Sequence, residues 1–131
     1  MCGFVGIKNY DSNEFVKLIN NIDNCSKLIN HRGPDDTKKW ISKNKDICLS
    51  FNRLSILDTS ENAMQPMFSR SKKYIMVFNG EIYNYVEIKN NLSKKNILIT
   101  SNSDSEVLIN HFEHFGIKNT LREINGMFSI V

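Results

Sequence analysis

Cys2 is the first residue of the chain with side-chain chemistry to offer, and it lies directly between Met1 and Gly3. Trimming of Met1 would leave Cys2 with a thiol and a free α-amino group on the same carbon. Such an amine has a reference pKa of about 7.7 to 8.0, so it can serve as the base for its own nucleophile. Gly3 would let a substrate approach the backbone closely. Met-Cys-Gly by itself is more typical of a cysteine buried at the start of a strand, so the remaining segments decide between the two interpretations.

Three other segments carry polar groups that suit one small ligand. Arg53 ends a predicted strand and can clamp a carboxylate with two parallel hydrogen bonds, although a surface ion pair is the alternative. Asn79 and Gly80 offer a side-chain amide and a backbone N–H to a developing oxyanion, although Asn-Gly is also typical of a hairpin turn. Asp104, in the first turn of a predicted helix, can pair with an ammonium group or merely favour the helix dipole. Together with a thiol nucleophile, these groups describe a site for an amino acid that has a side-chain amide.

The composition is that of one folded domain. The chain has 131 residues, of which 40% are hydrophobic and 24% charged, and this argues against disorder. A net charge of +3 does not call for nucleic acid or anionic lipid, and no apolar run reaches the roughly 18 residues of a membrane span. The N-terminus lacks a charged leader before an apolar stretch, so we expect no secretory signal. Three cysteines without CxxC spacing predict no disulfide framework and favour a cytoplasmic location.

Hydrophobic periodicity predicts a mixture of strands and helices. Strands are predicted at 1–8, 47–52, 74–78, 97–99 and 127–131. Helices are predicted at 15–29, with Asn13 as the cap, at 85–95, and from a Ser103–Glu106 capping box to Gly116, followed by a short amphipathic piece around 121–124. The Gly-Pro segment 31–36 and the polar segment 57–72 are predicted loops, and the Asn79-Gly80 pair is a predicted turn.

Seven short motifs identify a family resemblance. They occur in the order MCGFVGI, HRGPDD, RLSILD, QPM, FNGEIYNY, SDSEVL and INGMFSIV. In this order they resemble the class II, N-terminal-nucleophile glutamine amidotransferase domain found at the front of glutamine-hydrolysing asparagine synthetases. The resemblance covers residues 1–131, and NGEIYNY and RLSILD favour the asparagine-synthetase branch.

The resemblance implies a fold, a reaction and a set of residues. The fold is α+β, an αββα sandwich with the nucleophile on the first strand, and the reaction converts L-glutamine to glutamate and ammonia through a thioester. The implied catalytic residues are Cys2, Asn79 and Gly80, and the implied substrate-binding residues are Arg53, Leu54, Ser55, Ile56, Leu57, Glu81 and Asp104. Arg53 would bind the α-carboxylate of glutamine and Asp104 its ammonium group. No metal or cofactor is expected in this chain.

The family pattern extends beyond this chain. Family domains continue for several strands after the GMF motif, and an ATP- and magnesium-dependent synthetase domain with an SGGxDS loop follows. We therefore expect an incomplete second sheet, and an ammonia acceptor, aspartate in the family, that is chosen by a partner domain or subunit. Homodimers are common in the family. The alternative hypothesis is a truncated fragment that is inactive or only binds, and a metal-dependent hydrolase is disfavoured because His31, His111 and His114 form no HExxH pattern.

Overall fold

A computed structural model describes residues 2–8, 14–56 and 58–131 of the chain, apart from the side chain of residue 18. The described part is α+β with antiparallel sheets. The strands are β1 (Gly3–Lys8), β2 (Asp36–Ile41), β3 (Ile47–Arg53), β4 (Met67–Phe68), β5 (Ile75–Met76), β6 (Phe78–Ile82) and β7 (Gly126–Ile130). The helices are α1 (Phe15–Leu28), α2 (Tyr85–Ser93), α3 (Asp104–Phe115) and α4 (Ile117–Glu123), and single 3₁₀ turns lie at Asn30–Arg32 and Glu61–Ala63.

The first sheet has the order β1-β3-β2 and carries α1 on one face. Its central strand β3 is covered on both sides. Leu49 and Phe51 face a cluster that includes Met64 and Val77, whereas Cys48 packs against Ile22 of α1. The alternation of apolar and polar residues in β3 therefore does not separate a buried face from an exposed one, because both faces of this strand are buried. The polar residues Ser50 and Asn52 can be buried against α1 because both are hydrogen-bonded to Ser26 of that helix. Ser50 Oγ donates to Ser26 Oγ, which in turn donates to Asn52 Oδ1.

The second half of the chain is built around β6. This strand pairs with β7 in a two-stranded antiparallel sheet, and β4 and β5 form a separate short pair. Helices α2 and α3 contact each other and enclose the largest apolar cluster, which includes Ile82, Leu92, Leu108 and Ile109. Full burial of each such side chain contributes about 1.5 to 3 kcal/mol relative to exposure. This packing holds the N-terminus of α3 beside β6.

One predicted turn and one predicted strand were wrong because strand formation depends on distant partners. The Asn79-Gly80 pair is not a turn but lies inside β6, since β7 returns from residue 126 to pair with it. The predicted strand at 97–99 is absent from this described segment, where Ile97 is buried by packing against the helices. Strand β2 was not predicted, since its residues are polar and almost all exposed. Lys38 and Lys39 lie on this edge strand, where lysines discourage pairing with other chains.

The helix predictions differ from the structure mainly at the ends. The helix predicted at 85–95 ends at Ser93, and the helix predicted at 15–29 ends at Leu28, whose side chain is 76% exposed. The Ser103 side chain caps α3 as predicted, although it accepts from Ser105 N. Glu106 does not complete the capping box, because its carboxylate accepts hydrogen bonds from Thr100 and Ser101. The predicted cap Asn13 lies outside the described residues.

Candidate active site

One cleft of about 200 Å³ lies between the end of β3, the middle of β6 and the N-terminus of α3. It brings together residues from five separated segments of the sequence, around positions 2, 51–65, 78–81, 103–105 and 127. The predicted site residues that line it are Cys2, Arg53, Leu54, Ile56, Asn79, Gly80, Glu81 and Asp104. Ser55 is not among the lining residues, and its backbone N–H donates to Asp35 Oδ2 at 2.8 Å instead. Leu57 lies outside the described residues.

Cys2 is half-buried at the start of β1 and faces the end of β3. Its Sγ accepts a hydrogen bond from the backbone N–H of Leu54 at 3.3 Å and lies 3.5 Å from the Leu54 carbonyl oxygen. On the other side, Arg32 Nε donates to the Cys2 carbonyl oxygen at 3.2 Å. The pairing of Gly3 with Asn52 brings the two strand ends together. The thiol is therefore held at the cleft wall beside a backbone donor.

Arg53 is buried at the end of β3, and its guanidinium is anchored on one side. Nη2 donates to the carbonyl oxygens of Asp58 and Ser60, at 2.5 and 2.9 Å. Among the described residues, no acceptor is paired with Nη1 or Nε. The structure thus gives Arg53 a fixed orientation while its other donors remain available to an anion in the cleft.

Gly80 lies at a position of β6 where its N–H faces away from β7. Val77 and Val131 exchange both backbone hydrogen bonds, and the antiparallel ladder alternates from that pair onward. Gly80 and Phe128 are three residues further along, so they form a pair that exchanges no backbone hydrogen bonds. The Gly80 N–H therefore points to the outer edge of β6. No described residue accepts a hydrogen bond from it.

The side chain of Asn79 adds a second polar group at the same place. Its Oδ1 is buried and has no partner among the described residues. Buried polar atoms are almost always paired, so an unpaired amide in a cleft indicates a place for a ligand. The amide can present either its oxygen or its NH₂ group by rotation.

Asp104 is the first residue of α3, and it is buried in the wall of the cleft that this helix forms. Its Oδ2 accepts from Ile82 N at 3.1 Å. Burial raises the pKa of the Asp104 carboxyl, and the nearby charge of Glu81 adds to the increase against the lowering effect of the backbone hydrogen bonds. A cationic group in the cleft would stabilise the ionised carboxylate and reverse this shift.

Asp58 and Gln65 line the cleft but were not predicted as site residues. Asp58 Oδ1 accepts from Ser60 N and Oδ2 from Asn102 N, both at 2.8 Å. Hydrogen bonding from the Ser60 side chain, followed by that from the backbone N–H groups of Asn102 and Ser60, lowers the pKa of the Asp58 carboxyl. It thereby joins the segment held by Arg53 to the segment that precedes α3. Gln65 is buried and bonded to β6 and α3. Asp58 belongs to the motif RLSILD and Gln65 to the motif QPM. The position of a polar residue within these motifs was therefore the sequence signal that could have identified both as site residues.

Other titratable groups lie apart from the cleft. His111 of α3 is 1% exposed, bonded to Thr120 Oγ1 at 2.9 Å and stacked on Phe115. Burial lowers its pKa. Within the described ranges, no three His, Cys, Asp or Glu residues are grouped as metal ligands would be, and no helix has the length and apolarity needed to cross a membrane.

Comparison with known proteins shows the family to which this chain belongs. A model of the glutamine amidotransferase domain matches residues 1–131. The asparagine synthetase [glutamine-hydrolyzing] 1 of Bacillus subtilis is 35% identical over 100% of this chain and 20% of its own length. A second synthetase of that organism is 37% identical over 99% of this chain and 17% of its own length.

An archaeal relative gives the same result. A putative asparagine synthetase [glutamine-hydrolyzing] 2 of Methanocaldococcus jannaschii is 36% identical over 98% of this chain and 27% of its own length. The chain thus spans 17 to 27% of the length of these relatives. The family match extends over every segment that contributes to the cleft. This chain belongs to the glutamine amidotransferase domain family and is homologous to glutamine-hydrolysing asparagine synthetases.

Proposed function

We propose that the cleft hydrolyses L-glutamine to glutamate and ammonia, with Cys2 as the nucleophile. The observation that supports this most strongly is the meeting of a thiol, a guanidinium, an outward N–H and a buried carboxylate in one cleft. Arg53 would receive the α-carboxylate of glutamine and Asp104 its ammonium group. Leu54, Ile56, Leu57 and Glu81 would complete the substrate pocket, mostly through backbone contacts, whereas Ser55 would act only by holding the neighbouring backbone, since its N–H is bonded to Asp35.

The proposed reaction begins with removal of Met1. The freed amine of Cys2 takes the thiol proton, and Sγ forms a bond to the amide carbon of glutamine. The carbonyl oxygen becomes an oxyanion, which the Asn79 amide and the Gly80 N–H stabilise. Breakage of the carbon–nitrogen bond releases ammonia with the stored proton and leaves a thioester. Water then attacks the thioester, glutamate departs, and Sγ regains a proton.

We further propose that the ammonia is used by an ATP-dependent synthetase domain or subunit. The support is the naming of the relatives and the small share of their length that this chain matches. The SGGxDS pattern does not occur in this sequence, so ATP and magnesium would act in that partner. The described helices on either side of paired antiparallel strands are compatible with the αββα arrangement, which we retain as part of this proposal.

Intact mass after incubation with 6-diazo-5-oxo-L-norleucine tests the proposed nucleophile and pocket together. We expect a single adduct on the chain that lacks Met1, and we expect Cys2→Ala to abolish both the adduct and ammonia release. Cys25→Ser is the matched control, because Cys25 is also a half-buried free cysteine and does not line the cleft. Ammonia release by Cys2→Ala at the parent rate would refute the proposal. A folded, Met1-trimmed chain without an adduct would favour the alternative of an inactive fragment.

A further inference from the structure

The side chain of Gln65 joins β6 to α3. It is 4% exposed and makes three hydrogen bonds with these two elements. Oε1 accepts from the backbone N–H of Phe78 at 2.5 Å, and Nε2 donates to the Phe78 carbonyl oxygen at 3.2 Å. Nε2 also donates to Ser105 Oγ at 3.2 Å. The amide therefore pairs with the Phe78 peptide groups as a neighbouring strand residue would.

These contacts are made on the outer edge of β6. By the alternation that starts at Val77 and Val131, the N–H groups of Phe78, Gly80 and Ile82 all face away from β7. Gln65 occupies the position at Phe78, and Asp104 Oδ2 occupies the position at Ile82. The Gly80 N–H between them stays open to the cleft.

Both closed positions are tied to the first turn of α3. Ser105 holds Gln65, and Asp104 itself holds Ile82. The segment 79–81 is thus fixed at each end to the same helix terminus. A shift of β6 along or away from α3 would break at least one of these hydrogen bonds.

We propose that Gln65 is a positioning residue that sets the direction of the Gly80 N–H by holding the Phe78 peptide. The expected effect on catalysis rests on the proposed function, whereas the effect of Gln65 on the direction of the Gly80 N–H does not. An oxyanion donor acts in the transition state, so its displacement lowers kcat more than it raises KM. A purely structural role of Gln65 would lower the amount of folded chain and leave kcat per titrated site unchanged.

The test compares Gln65→Met with Thr120→Val. Met has a similar length but cannot pair with Phe78. Thr120 is also buried, and its hydroxyl makes two hydrogen bonds, to His111 and Gly116, but it lies on α4 and does not line the cleft. We expect Gln65→Met to lower kcat per site titrated with 6-diazo-5-oxo-L-norleucine by about tenfold to a hundredfold, with a small change in KM. We expect Thr120→Val to keep the parent kcat per site.

The Ser105→Ala variant and the NMR resonance of the Gly80 amide test the same proposal independently of Gln65→Met. Ser105→Ala removes only one of the three hydrogen bonds of Gln65, so we expect it to lower kcat less than Gln65→Met does. This milder variant replaces Gln65→Met in the test if Gln65→Met does not fold. In ¹⁵N–¹H NMR spectra, the Gly80 amide resonance should move in the Gln65 and Ser105 variants and stay in place in Thr120→Val. A parent-like kcat per site, or an unmoved Gly80 resonance, in a folded Gln65→Met chain would overturn the proposal. If the parent chain forms no adduct but the Gly80 resonance still moves in the Gln65 and Ser105 variants, the proposed function alone is refuted.

Discussion

Gly80 and Phe128 face each other across the β6–β7 ladder at a distance that leaves no room for a side chain on Gly80. A Cβ atom at that position would lie 2.2 Å from the Met127 carbonyl oxygen and 2.6 Å from the Phe128 Cα. Met127 and Phe128 belong to β7, so the close approach of β7 requires glycine here. The same position directs a backbone N–H into the cleft. One residue therefore satisfies both a packing requirement and a proposed catalytic one.

Gly80→Ala should separate the strands of this pair. We expect a loss of stability of about 1 to 3 kcal/mol from the forced shift of backbone, and a loss of ammonia release of about a hundredfold per titrated site. Gly116→Ala is the control, because Gly116 also has a positive φ, of 80°, but a Cβ atom there would meet no described atom within 4 Å beyond its chain neighbours. Thermal melting and the ammonia assay measure the two effects. Equal activity per site in the two variants would contradict the assignment of Gly80.

Retention of Met1 should inactivate the cleft. With Met1 attached, the amine beside the Cys2 thiol becomes a peptide nitrogen, which cannot act as a base. We expect no ammonia release from chain whose mass includes Met1, and full recovery after an aminopeptidase removes it. In the trimmed chain, kcat should fall as the pH drops below about 7, because the amine becomes protonated. Full activity with Met1 in place would rule out the proposed base.

Asp104 should couple glutamine binding to the release of a proton. Burial raises the pKa of its carboxyl, so the folded chain holds this proton to higher pH than the unfolded chain. Its contribution to stability is full below about pH 4 and is lost as the pH rises through the raised folded pKa. The ammonium group of a bound ligand would favour ionisation. Calorimetry in two buffers of different ionisation enthalpy should therefore detect proton release on glutamine binding to a Cys2→Ala background.

The Asp104→Asn variant provides the comparison. It can still accept from Ile82 N but has no charge, so the proton release should vanish and the pH dependence of stability should become flatter. Loss of one charge-assisted hydrogen bond of about 1.5 to 3 kcal/mol predicts glutamine binding weaker by about 10- to 100-fold. Unchanged proton release would show that another group responds to the ligand.

Asp58 should make the segment behind Arg53 sensitive to acid. Hydrogen bonds from Ser60 and Asn102 lower the pKa of its carboxyl. The stability it contributes is present above the ordinary carboxyl pKa of about 3.9 and is lost as the pH falls through the lowered folded pKa. Asp58→Ala should speed amide exchange at Ser60 and Asn102 and raise the KM for glutamine. Asp46→Ala is the control, because Asp46 accepts from Ser42 in the β2–β3 turn, away from the cleft.

Local signals in this sequence predict structure correctly where the interactions that decide it lie within a few residues. Helix α3 was predicted well at both ends, since its cap Ser103 and its terminating Gly116 act within one turn. The Asn79-Gly80 turn and the strand at 97–99 were wrong, because the partner that extends β6 lies some 50 residues away and no partner pairs with 97–99 among the described residues. The edge strand β2 carries too few apolar residues for periodicity to reveal it.

For the site, the sequence determined which chemical groups exist and to which family they belong, because short ordered motifs carry that information by themselves. Tertiary structure alone decided that Cys2, Arg53 and Asp104 share a cleft, and that Ser55 turns its N–H to Asp35. It also decided that the Gly80 N–H is open while those of Phe78 and Ile82 are taken. The physical reason is that the direction of a backbone donor depends on the register of a distant strand, which local sequence does not encode.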